Sequence, residues 1–207
     1  MPLGASLPSA PLGSRRLGRI ARLGLLWVGG LMLAGVLLAG GTYLFIQRDG
    51  NFHAVEPRLV YRSAQPGAEE LRQMVLAHGI KSVLNLRGEN TGKPWYDDEV
   101  RTARAVGIQH LDVRFSAYQT LSVQQMDEII KLVDQAPKPM LIHCESGADR
   151  TGLVAALYRL SRGQSPAVAE QELAPRYGHF AALVPRSAAM DRSLAIYLQQ
   201  GRAANQP

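Results

Sequence analysis

Residues 139–152 read Pro139-Met140-Leu141-Ile142-His143-Cys144-Glu145-Ser146-Gly147-Ala148-Asp149-Arg150-Thr151-Gly152. The apolar run ending at His143 reads as a short buried strand. The stretch from Thr151, with Leu153, Val154, Ala156, Leu157 and Leu160 on one face, reads as a helix. A strand, a tight loop and a helix N-terminus together collect backbone N–H groups around an anion. The loop 144–150 is therefore expected to bind phosphate through the amides of Glu145, Ser146, Gly147, Ala148, Asp149 and Arg150.

The same loop carries a nucleophile. A thiol beside a helix N-terminus and an arginine can have its pKa lowered from about 8.5 to roughly 3.5–7.5, and both influences meet at Cys144. Its thiolate can attack phosphorus in line and carry the phosphoryl group, while the amides and the Arg150 fork hold the equatorial oxygens. Gly147 permits the turn that aims successive N–H groups inward. The Thr151 hydroxyl is expected to hydrogen-bond the Cys144 sulfur and support the thiolate, and His143 to hydrogen-bond the loop backbone. With 19 arginines in 207 residues, Cys-x5-Arg alone would arise by chance about one time in ten. The specificity comes from His143, Gly147, Thr151, Gly152 and the flanking elements.

His143 to Gly152 match the HCxxGxxRTG signature of the protein tyrosine and dual-specificity phosphatase superfamily. Tyr61-Arg62-Ser63-Ala64-Gln65-Pro66 and Asn85-Leu86-Arg87 resemble its compact bacterial and fungal members, and the resemblance spans about 57–180. It implies hydrolysis of a phosphorylated protein or small phosphate ester through a cysteinyl-phosphate. It also implies no cofactor and no metal, with Cys144 and Arg150 as the catalytic pair. The superfamily also supplies an aspartate as general acid on a loop before the Ser122 helix, where this chain has Arg114-Phe115-Ser116-Ala117-Tyr118-Gln119-Thr120, without a carboxylate. Two substitutes present themselves. Asp149 stands in the loop, as in myotubularin-like phosphoinositide phosphatases; its alternative is a structural task such as orienting Arg150. Asp112 lies in the preceding strand, where a salt-bridged residue is the alternative. The missing acid also leaves open a phosphate-binding pseudoenzyme, and the loop aspartate leaves open a phosphoinositide substrate.

Around the loop, the order of elements predicts an α/β phosphatase-fold domain over 58–200, a central, mainly parallel sheet flanked by helices. The expected strands are 59–62, 81–86, 108–113 and 139–143. The expected helices are 68–78 closed by Gly79, 97–106 closed by Gly107, and one to about Gln135 behind a Ser122/Gln125 capping box; others begin at Thr151, Ser165-Pro166 and near Arg186. Glu89, Asn90, Trp95, Tyr96, Asp97 and Asp98 are candidates to line the substrate mouth, or form an ordinary polar loop.

Ahead of the domain, Leu23 to Ile46 is 24 residues without a charge, about 36 Å of helix and enough to span a bilayer core of about 30 Å. Its length favours a retained transmembrane helix over a cleaved signal, whose apolar region runs about 7–15 residues. Arg15, Arg16, Arg19 and Arg22 precede it in a basic tail, 1–22, that holds no acidic residue. The positive-inside rule then keeps the N-terminus cytoplasmic and the catalytic domain across the membrane. Residues 47–57 read as a linker and 201–207 as a disordered C-terminus. Those four arginines account for most of the formal charge of +6, so nucleic acid is not implied as a partner. Cys144 is the sole cysteine, which rules out a disulfide within the chain. Nothing in the sequence fixes an oligomeric state.

Overall fold

Five four-residue strands build one sheet: β1 (His53–Glu56), β2 (Val60–Ser63), β3 (Ser82–Asn85), β4 (Gln109–Asp112) and β5 (Met140–His143). They lie in the order β1-β2-β5-β3-β4, with β1 antiparallel to β2 and every other pair parallel. The structure is a computed structural model that describes the backbone of residues 13–48 and 50–204, and the side chains of 22–38, 40, 41 and 50–200. β5 is central, paired with β2 and β3 so that Ser63, Asn85 and His143 stand level at the strands' C-terminal ends.

Side chains alternate between the two faces of a strand, and the core divides accordingly. Val60, Leu84, Met140 and Ile142 face one cluster, shared with α4 (Val123–Gln135), α5 (Asp149–Ser161), α6 (Pro166–Glu170) and α7 (Ala188–Ala204). Tyr61, Val83 and Leu141 face the other, with α2 (Ala68–His78) and α3 (Pro94–Ala105). Because both faces are covered, β2, β3 and β5 are buried throughout, as parallel strands generally are. Burying α5 deeply between the sheet and its neighbouring helices fixes the loop that precedes it.

Several boundaries shift from those expected. β1 falls inside 47–57, so that stretch is an edge strand rather than a pure linker; its antiparallel pairing to β2 is interrupted by an irregularity between Ala54 and Glu56. α3 starts at Pro94, which supplies the preset φ of a first helical residue, three residues before the acids taken to open it. α5 starts at Asp149 rather than Thr151, which puts the aspartate and the arginine on the helix itself. α7 continues to Ala204, into the segment expected to be disordered; 205–207 lie outside the described residues.

The chain divides into two units, up to Thr42 and from Tyr43 onward. The described residues of the first unit, 13–42, belong to helix α1 (Gly13–Arg48), which takes in residues 13–22 of the expected tail; residues 1–12 lie outside the described residues. Leu23, Leu25, Leu26, Trp27, Leu31 and Leu37 on α1 are exposed. Among the described residues no helix is long and apolar enough to cross a membrane, so the span expected over 23–46 is not found there. Within it, the side chains of Ala39 and of 42–46 lie outside those described.

Candidate active site

Gly147 shows why the loop has its shape. Its φ is +72°, and a Cβ there would stand 2.6 Å from the backbone of Ser63 and Ala64. Only glycine allows the loop to lie this close against the end of β2.

The loop carbonyls are then captured from outside. Gln65 N donates to Glu145 O at 3.1 Å and Asn51 Nδ2 to Ser146 O at 3.0 Å. Arg62 Nη2 donates to Gly147 O at 2.7 Å and to Ala148 O at 3.4 Å. With the carbonyls turned outward, the N–H groups of Glu145, Ser146 and Gly147 make no hydrogen bond among the described residues. They are left for an anion.

Arg62 is the main support. It is wholly buried, and its Nη1 meets Glu172 Oε2 at 2.7 Å and Glu172 O at 2.9 Å. Its guanidinium also lies 3.8 Å over the Tyr177 ring. Arg159 Nε holds the second carboxylate oxygen of Glu172 at 3.0 Å. Burial pulls the Arg62 guanidinium below its ordinary pKa, and Glu172 opposes that shift. An ion pair this deep is strongly destabilising to break from one side, by about 3–5 kcal/mol.

Cys144 is 2% exposed, at the floor of a cleft of about 490 Å³ lined by Ser116, Ala117, Tyr118, Glu145, Ser146, Asp149 and Arg150. Arg150 anchors Nη1 on Leu86 O at 3.1 Å while its buried Nε has no partner among the described residues. His143 reaches Cys144 O at 3.3 Å through Nδ1 and Glu99 Oε1 at 3.1 Å through Nε2. Glu99, 1% exposed, also meets His110 at 2.7 Å and accepts from Gln65. Burial acts to raise the Glu99 carboxyl, but His143 and His110 outweigh it and bring it down to about 2.

The structure also places three further candidates. The Thr151 hydroxyl is buried and has no hydrogen-bond partner among the described residues, the Cys144 sulfur included. Asp112 is tied to Asn85 at 2.8 Å, Tyr96 at 2.7 Å and His110 at 3.4 Å and is not among the cleft residues. Asp149 lines the cleft but does not orient Arg150; its carboxylate meets His179 Nδ1 at 2.6 Å. Of the candidates for the substrate mouth, Tyr96 serves Asp112, and Trp95 lies 3.7 Å beneath the Arg87 guanidinium. Sequence reasoning missed Arg62 as a support, Glu172, Glu99 and Asn51. The available signal was charge in buried positions: an arginine within a strand covered on both faces needs a partner.

A cysteine at the floor of an amide-lined loop, an arginine on the first turn of the next helix and a mainly parallel sheet behind them define a cysteine-dependent phosphatase of the tyrosine and dual-specificity superfamily. A family described as a dual-specificity-type (DSP-PTPase) phosphatase fused to NAD+ kinase matches residues 43–190, and the chain belongs to that family. Among solved structures, it is similar to TpbA of P. aeruginosa, at 21% identity over 72% of this chain and 92% of that one, with a TM-score of 0.54. It is also similar to a putative phosphatase of Shewanella putrefaciens, at 22% identity over 70% and 88%, TM-score 0.55. A third is the catalytic core of the PP-IP phosphatase SIW14 of S. cerevisiae, at 22% identity over 73% and 93%, TM-score 0.55. At these identities the likeness is one of fold.

Proposed function

We propose that Cys144 is the nucleophile that takes the phosphoryl group from a phosphorylated protein side chain, phosphotyrosine foremost, and that Arg150 and the 145–150 amides hold the phosphate oxygens. The observation that carries this reading is the outward capture of the four carbonyls from Glu145 to Ala148, which leaves amides facing a cleft whose floor is Cys144. In the first step the thiolate forms an S–P bond as the ester oxygen leaves, taking a proton from Asp149. In the second, water attacks phosphorus and returns a proton to Asp149, releasing phosphate and thiolate. A proton donor of this kind is typically worth about 10²–10⁴ in rate. Tyr118 on the cleft wall, 58% exposed, offers an aromatic face to a phosphotyrosine ring.

A phosphoinositide or other small phosphate ester is the second reading. It is favoured by the loop aspartate and by Arg87, which lies over Trp95 and 3.9 Å from Glu145 of the loop. Turnover of p-nitrophenyl phosphate, a phosphotyrosine peptide and a phosphoinositide by the same preparation separates the readings. The peptide is expected to be the preferred natural ester. Failure on all three with an intact Cys144 would sink the enzyme and leave a phosphate-binding pseudoenzyme.

We further propose that α1 anchors the chain in a membrane, with the N-terminus cytoplasmic and the catalytic domain on the other side. Support comes from the uncharged run 23–46, the arginines before it and the exposed apolar residues of α1. Fractionation of the full chain against a chain lacking residues 1–48 tests this. The anchor is rejected if both remain in the supernatant.

A further inference from the structure

His179 is a buried titratable group that the chemistry above does not use. It follows Gly178, whose left-handed φ of +85° ends the 3-10 turn Pro175–Tyr177. Its side chain is 2% exposed and bridges two carboxylates from different helices. Nδ1 lies 2.6 Å from Asp149 Oδ1 on α5, and Nε2 lies 2.9 Å from Asp191 Oδ2 on α7. Asp149 is the one member of this chain of bonds that lines the catalytic cleft.

We infer that His179, held by Asp191, is the positioning residue of Asp149: it aims the carboxyl into the cleft and stabilises the negative charge left there when the proton moves to the departing oxygen. The inference rests on Asp149 being the proton donor. A carboxyl on the first turn of a helix has several rotamers, and a bond from each of two helices to one imidazole selects among them. The imidazole accomplishes this only if its own ring is fixed, which is the task of Asp191. Burial lowers the His179 pKa, but the bonds and charges of Asp149 and Asp191 prevail and raise it above the ordinary imidazole value. That rise includes the charge of an ionised Asp149, so it describes the state after the proton has left Asp149, when a ring donating at both nitrogens meets a carboxylate on each side. The charged groups acting on it are those two, one from each helix against which it packs; the nearby Arg176 lies 4.8 Å over the Tyr177 ring. No proton leaves His179 in either step: the proton lost from Asp149 goes to the alcohol, and the one regained comes from water.

The test compares 2-phenylethyl phosphate, whose alkoxide needs protonation, with p-nitrophenyl phosphate, whose leaving group needs little. Asp149→Asn is expected to lower the alkyl-to-aryl ratio of kcat/KM by about 100-fold, and His179→Gln and Asp191→Asn by about 10-fold. In the double variant Asp149→Asn/His179→Gln the ratio is expected to match that of Asp149→Asn alone, because a positioning residue has no effect once its partner is gone. Thermal melts with and without phosphate report in each variant that the fold and the loop are intact. If Asp149→Asn changes the ratio but His179→Gln slows both esters equally, His179 is merely structural and the inference falls alone. If Asp149→Asn leaves the ratio unchanged, the proton-donor reading falls and takes the inference with it.

Discussion

At the scale of single residues, the site depends on two positions where substitution meets backbone or buried charge. Gly147→Ala would place a Cβ 2.6 Å from the Ser63 and Ala64 backbone at a φ of +72°. It is expected to cost about 2 kcal/mol or more and to lower Tm by several degrees. Phosphate affinity should fall with it, as thermal melts with and without phosphate would show. Glu99 gives the domain a defined acid limb. Its carboxyl is held near 2 against an ordinary 4.5, so its contribution, on the order of 3 kcal/mol, is fully present above about pH 4.5 and is lost as pH falls toward 2. Urea unfolding between pH 2 and 6 should show that slope, and Glu99→Gln should flatten it. Neither Glu99 nor Arg62 announced its partner in the sequence. Arg62 and Glu172 are 110 positions apart and His143 and Glu99 are 44 apart; one chain carries no record of such pairings beyond the oddity of a charge amid apolar neighbours.

At the scale of elements, legibility followed local chemistry. α2 ends where Gly79 adopts a φ of +64° and sends its N–H to Val75 O, and α4 begins with the Ser122/Gln125 capping box; both were readable because their signals lie within four residues. Ser122→Ala is expected to cost about 1 kcal/mol and to leave kcat/KM for p-nitrophenyl phosphate unchanged, because Ser122 does not line the cleft. Equal losses in stability and turnover would contradict that separation. β1 was not legible: four residues at a sheet edge, with an interrupted register, carry too little periodicity to read. The start of α5 was misplaced for a related reason. The first turn of a helix that opens an anion loop carries Asp149 and Arg150 for the sake of the cleft, so it lacks an ordinary N-cap side chain.

At the scale of the whole molecule, the cradle joins distant stretches of the domain. Arg62 binds carbonyls 85 and 86 positions away and a carboxylate 110 positions away, and Asn51 reaches Ser146 and Tyr177, 95 and 126 positions away. Loop closure over such separations costs entropy that no local segment recovers by itself. The anion site therefore assembles only in the complete domain, and its occupancy is coupled to global folding by mass action. A non-reacting oxyanion at 100 times its Kd should stabilise the domain by about 2.7 kcal/mol, visible as a rise in Tm. A fragment ending before Glu172 should show no such shift. Oxyanion binding thus doubles as a folding sensor, reporting from the catalytic pocket whether the first and last thirds of the domain have found each other.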